Sequence, residues 1–157
     1  MLLPFFEWME SLQLSVLFRE SLLLYPIIQA LHLVALTVFV GAVLIVDLRL
    51  LGRGLTTQPL AQVARGARPW LIGSLVTLTI TGIPQMTSTA IKQYYSPFFW
   101  RKMTILLIAV IFTFVLRHRV ALTDQARVGV FWPKIVGLVS IALWTSVAFQ
   151  ARLIGLM

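Results

Sequence analysis

The chain reads as an all-α integral membrane protein, a four-helix up-down bundle preceded by an N-terminal interfacial helix. Three observations predict this fold. Of 157 residues, 59% are hydrophobic and only 11% charged, too few charges to solvate a globule and too much apolar surface to keep one in solution. Four apolar runs, at about 22–46, 70–86, 98–116 and 135–156, have the roughly 17 to 25 residues a helix needs to cross a hydrocarbon core of about 30 Å. The connections between them are short, so neighbouring spans should run antiparallel, and residues 1–157 form a single transmembrane domain.

Residues 4–19 mix apolar and acidic positions at roughly helical spacing. Glu7 and Glu10 stand where a signal peptide would carry positive charge, so 1–20 is expected to be an interfacial helix that stays attached. Span one opens on Tyr25-Pro26, where proline is tolerated because its missing N–H would be unbonded in a first turn, and closes at Asp47-Leu48-Arg49-Leu50-Leu51-Gly52. The following loop is punctuated by glycine and proline and encloses an amphipathic turn from Leu60 to Arg65, long enough for a short surface helix.

Span two carries Gly73, Thr77 and Thr81 at fourfold spacing, a ridge of small residues that lets membrane helices approach closely; Pro84 then kinks or ends it. Tyr94, Tyr95, Phe98, Phe99 and Trp100 form an aromatic belt ahead of span three, whose Arg101 and Lys102 must snorkel outward or pair inside. Trp132-Pro133 marks the opposite interface ahead of span four, which has a ridge of its own in Gly137, Ser140, Trp144 and Ala151.

The net charge of +8 follows the loops rather than a nucleic-acid surface, so no nucleic acid is expected as a partner. Arg49, Arg53, Arg65, Arg68, Arg117, Arg119, Arg127 and Lys134 lie on one side, against Arg19, Lys92, Arg101, Lys102 and Arg152 on the other. That asymmetry places both long loops in the cytoplasm and both termini in the periplasm of a bacterial inner membrane. The absence of cysteine excludes disulfides, thiolate metal sites, iron-sulfur clusters and thioether-linked haem.

His32 lies deep in a run that is otherwise free of ionisable groups until Asp47. At about 100° per residue, Tyr25, Gln29, His32 and Asp47 share an arc of roughly 60°, one polar stripe that faces the bundle interior. Counting about 1.5 Å per residue brings Thr79 to Thr81, residues 108–112 and Trp144 to Ser146 to the depth of His32. The same count gathers Gln29, Gln85, Arg101, Lys102, Gln150 and Arg152 nearer the outer surface, giving a basic mouth. Such an arrangement suits a b-type haem: the imidazole as axial ligand, apolar walls that exclude water, and cations for the propionates. The same imidazole could instead hydrogen-bond a Thr, Gln or backbone carbonyl across the bundle and set helix register. His118, between Arg117 and Arg119, reads as an interfacial residue, and Asp47 at the same inner interface is expected to clasp Arg117, Arg119 or His118. His32 and His118 differ by about 20 Å in depth, too far to share one small ion.

The stretch Tyr25-Pro-Ile-Ile-Gln-Ala-Leu-His32-Leu-Val-Ala, then Gly41, then Asp47-Leu-Arg-Leu-Leu-Gly52, with Phe98-Phe-Trp-Arg-Lys102 and the segment from Trp144 to Arg152, resembles an uncharacterised family of small four-span bacterial inner-membrane proteins. The likeness covers most of the chain. More distantly, the Leu-His-Leu context and the lysine opening span three are similar to the HemJ-like protoporphyrinogen oxidases and to CopD-type membrane domains. In the HemJ-like enzymes a first-span histidine and a later-span lysine accompany haem b, which implies His32 and Lys102 here. Residues 47–52 replace that enzyme family's own motif, so the resemblance implies the cofactor rather than the porphyrinogen chemistry. The expectation is a membrane redox or electron-transfer protein that binds haem b through His32 as the iron ligand, with Lys102, Gln29, Trp144, Arg101 and Arg152 around it. The competing reading is a non-catalytic accessory subunit without cofactor, docked through its lipid-facing surface to other subunits of a membrane complex.

Overall fold

The computed structural model describes residues 1–123 and 125–156, and every regular element in them is helical. In chain order these are α1 (Leu3–Ser11), α2 (Gln13–Glu20), α3 (Leu24–Leu50), α4 (Leu60–Ser88), α5 (Ala90–Tyr95), α6 (Pro97–Ile111), a π-helical segment (Phe112–Arg117), α7 (His118–Leu122), α8 (Gln125–Val128) and α9 (Phe131–Leu156). The α6, π and α7 segments form one rod, Pro97–Leu122. Three helices are long and apolar enough to cross a membrane: Leu24–Leu50, Pro97–Leu122 and Phe131–Leu156. α4 is longer, at 29 residues, but its threonines, glycines, prolines and Gln85 make it less apolar.

The N-terminal segment forms two helices where one was expected. Leu12 adopts an extended ψ of 140° between them, and Ser15 Oγ, wholly buried, donates to Met9 O across the break at 2.8 Å. Glu10 fastens this pair to the body: one carboxylate oxygen accepts from the Ile91 N–H at 2.8 Å, the other pairs with Arg19 at 3.1 Å. α3 stops because Gly52 takes a φ of 74°, open to a residue without Cβ, and lets Arg53 N–H bond back to Leu48 O at 3.0 Å.

α4 absorbs the surface helix expected at 60–65 and runs through both Pro69 and Pro84. Each proline removes one backbone bond, but Leu60, Val63, Ala64, Ala67 and Leu71 are buried along one face, and this continuous stripe carries the helix across Pro69. Past Pro84, the Thr87 and Ser88 hydroxyls donate to the carbonyls of Pro84 and Gln85.

α4 lies along α3, α9 packs on α3 and α6, and α7 reaches the start of α4. Three apolar clusters succeed one another along this assembly. At the basic end, Val46, Leu50, Leu60, Val63, Val120 and Val136 join α3, α4, α7 and α9. In the middle, Phe39, Ala42, Val43 and Leu71 pack with Leu78, Phe114 and Trp144. At the opposite end, here termed the cap end, Phe6 and Met9 of α1 meet Ala90, Phe99, Met86, Tyr94 and Ile154.

Candidate functional site

Between the middle and cap clusters each long helix carries polar side chains. On α4 these are Thr81 and Gln85, between Leu78 below and Met86 above; on the third rod, Lys102 lies between Phe99 and Phe114; on α9, Gln150 lies between Trp144 and Ile154. On α3, Gln29 and His32 stand above Phe39 on the side of the cap. A polar layer is thus enclosed between two apolar ones.

His32 anchors the layer. Its Nδ1 lies 2.7 Å from Thr81 Oγ1, and that hydroxyl lies 2.7 Å from Thr77 O. A carbonyl can only accept, so both contacts are made only if the Thr81 proton goes to Thr77 O and the hydroxyl accepts from Nδ1–H. In a neutral ring this leaves the lone pair on Nε2, which has no hydrogen bond to any described residue. Gly82 stands beside the ring: a Cβ there would lie 3.4 Å from His32 Cε1, so the glycine lets α4 and the imidazole come together. Gln85 Nε2 donates to Thr81 O at 3.1 Å and completes the α4 side.

Three polar groups of the layer lack partners among the described residues. Lys102 is half-buried, yet it forms no hydrogen bond or ion pair. The side-chain oxygens of Gln29 and Gln150 are buried with no donor. An uncompensated cation, an oriented imidazole and two unmatched amides are costly in an apolar surround unless another group meets them. No group of three or more His, Asp or Glu side chains is placed to hold a metal ion among the described residues.

The other expected site residues fall elsewhere. Trp144 packs on Phe39 with ring centroids 4.6 Å apart, and its Nε1 donates to Thr113 Oγ1 at 3.0 Å. Phe39 is seven residues beyond His32 along α3, so the indole ring lies in the middle apolar cluster rather than beside the imidazole. α9 runs from the basic end toward the cap, and helical side chains lean toward the helix N-terminus, which carries the ring toward that cluster. Arg101 and Arg152 are exposed, and Arg101 sits 5.6 Å over the Phe98 ring. Tyr25, expected on the inward stripe, is exposed and packs edge-on to Phe18.

Asp47 is wholly buried among the helices. The expected clasp forms with Arg117, whose Nε is 2.6 Å from Asp47 Oδ1 and whose second nitrogen donates to Val43 O at 2.8 Å. Ser140 Oγ donates to the other carboxylate oxygen at 2.8 Å, so three helices meet on one acid. Sequence reasoning missed Ser140 here and missed Thr113 as the partner of Trp144. Both Thr113 and Arg117 project from the π segment, a wider turn often found at functional positions and without a local sequence signature.

One protein family matches the chain over residues 5–157. The chain belongs to DUF6644, a family of unknown function. No curated protein and no solved structure matches it. The comparisons therefore support the expectation of a family without an assigned activity and lend nothing to the likeness with HemJ-like oxidases or CopD-type membrane domains.

Proposed function

We propose that this DUF6644 chain is a four-span redox protein of a bacterial inner membrane that binds haem b in the polar layer, where His32 would hold the group through Nε2. The observation that carries this reading is an imidazole whose free nitrogen is assigned by Thr81, in the same layer as a cation, Lys102, that has no anionic partner among the described residues. Haem iron can be held by one protein nitrogen, and its propionates by a positive charge. When bound, haem supplies reversible one-electron chemistry.

The chain's own residues perform the holding. Thr81 fixes the tautomer and the ring plane of His32, as outer hydrogen-bond partners of metal-ligating histidines do. Lys102 neutralises negative charge in the layer, the Gln29 and Gln150 amides hydrogen-bond what enters it, and the apolar clusters above and below exclude water. Arg101 and Arg152 stand exposed near the cap end, where they add positive potential at the membrane surface. Trp144 belongs to the wall beneath the layer.

The fourth span of this reading is α4. Its hydropathy is lowered by hydroxyls that are already satisfied within the helix: Ser74, Thr77, Thr79 and Thr81 each donate to a carbonyl four residues back. A hydroxyl so bonded presents little unmet polarity to lipid. With four crossings, the basic asymmetry sets the α3–α4 and α7–α9 connections in the cytoplasm and both termini in the periplasm.

An absorption spectrum of the detergent-purified chain, expressed with haem supply, tests the function. A Soret band with reducible α and β bands is expected. A colourless, folded protein after haem supplementation overturns the reading and leaves the cofactor-free accessory subunit in its place.

A further inference from the structure

On the side of α3 roughly opposite the Phe39–Asp47–Leu50 stripe that meets α9, a groove runs between α3 and α4. It consists of two depressions, of about 540 Å³ and about 560 Å³, which share Val38 and Trp70 in their walls and so form one trench. From Leu31 to Ile45 the trench follows α3 for 14 residues, about 21 Å. That exceeds the ~15 Å depth of one leaflet's hydrocarbon, half of about 30 Å. Gly41, Gly66 and Gly73 line it, and a Cβ added at any of them would meet nothing within 4 Å. The trench is open, apolar and long enough for an extended hydrocarbon chain.

Its basic end is polar and positively charged. Gln58 and Gln62 close the trench there. Arg49, one turn beyond Ile45 on the same stripe, is held at this mouth by its Nε bond to Gln58 O at 2.9 Å. Arg53, in the connection between α3 and α4, and Arg65, next to Gly66 in α4, are exposed, and none of the three arginines has an ion-pair partner among the described residues. α4 begins at the same place with no side-chain cap on its N-terminal N–H groups, adding the positive end of a helix dipole. A second copy of the chain is a poor occupant, because a two-fold contact through this face would bring like-charged mouths together.

We propose that the trench holds one acyl chain of an anionic phospholipid from the leaflet on the basic side, with its phosphate at Arg49, Gln58 and Gln62. Basic pockets between membrane helices bind anionic headgroups in this manner. The proposal rests on α4 lying in the bilayer beside α3, and on nothing in the polar layer, so the absence of haem leaves it standing.

Native mass spectrometry of the full-length chain tests it, with phosphatidylglycerol or phosphatidylcholine of identical acyl chains added to lipid-free protein in detergent. The expected result is one retained phosphatidylglycerol per chain, at a concentration at least tenfold below that needed for phosphatidylcholine. Arg49→Gln with Arg65→Gln should bring that ratio close to one while helicity is kept. Gly66→Leu should fill the trench and lose the retained lipid, and Gly41→Leu provides the same test should Gly66→Leu fail to fold. Equal retention of the two lipids by the unaltered chain overturns the proposal. So does a trench-filled, folded variant that keeps the tenfold preference, or a lipid-free dimer that the filling substitution dissociates.

Discussion

Replacing Asp47 by Asn removes a charge with almost no change of shape, and the structure places the cost on Arg117. The guanidinium keeps its bond to Val43 O but loses its counterion at 2.6 Å, with side-chain exposures of 3% for Arg117 and 0% for Asp47. Breaking a buried pair from one side costs about 3–5 kcal/mol, because the remaining charge is stranded away from water. Ser140→Ala removes only the hydroxyl that donates to Asp47 Oδ2, and a hydrogen bond to a charged group is worth roughly 1.5–3 kcal/mol. Arg117→Met strands the carboxylate instead, and again about 3–5 kcal/mol is expected. Asp47→Asn with Arg117→Met removes both charges, so the double variant should lie far closer to the parent than the sum of the two single losses. Reversible unfolding in mixed micelles of increasing SDS fraction measures all four variants. A 4 kcal/mol loss is nearly three decades in the unfolding constant at about 1.4 kcal/mol per decade, well outside the error of such titrations. The reasoning is refuted if Asp47→Asn costs less than about 1 kcal/mol, or if the two single losses simply add in the double variant.

At Gly137, a Cβ would come within 3.0 Å of Leu50 Cβ and 3.1 Å of Asp47 O, so Gly137→Ala should destabilise by about 1–3 kcal/mol in the same titration, while Gly41→Ala, with open space around it, should not. Single cysteines at Gln58 and Gln93 should label from opposite faces of the membrane, Gln58 from the cytoplasm; labelling of both from one face would mean that α4 does not cross. His32→Ala should abolish the haem spectrum, and Thr81→Val should retain it with roughly 10- to 100-fold weaker haem retention, because only the orienting partner is lost. An unaltered spectrum in His32→Ala would return the imidazole to a packing role.

The candidate site was legible in part. Depth counting set Thr79 to Thr81 beside His32, and the Thr81 bond lies there because α4 packs along α3. The Trp144 ring lies instead in the middle cluster against Phe39, where its position depends on side chains that interlock across α3 and α9. The extension of α4 through Pro69 was visible in the spacing of Leu60, Val63, Ala64, Ala67 and Leu71, but glycine and proline punctuation outweighed it; the buried face, not the local breaker, decides.

By itself the sequence determined what local chemistry controls. Long apolar runs must become helices where lipid offers no hydrogen bonds, and a histidine and an aspartate on one stripe of such a helix must find partners inside. The tertiary structure alone decided which partners. Asp47 meets Arg117 and Ser140 because Gly137 lets α9 close on α3 and because a π turn brings Arg117 to the interior. His32 meets Thr81, and Lys102 meets no anion among the described residues, because the helices stand at one particular relative height. Interhelical register is a sum of many contacts distant in sequence, so no segment of the chain specifies it alone.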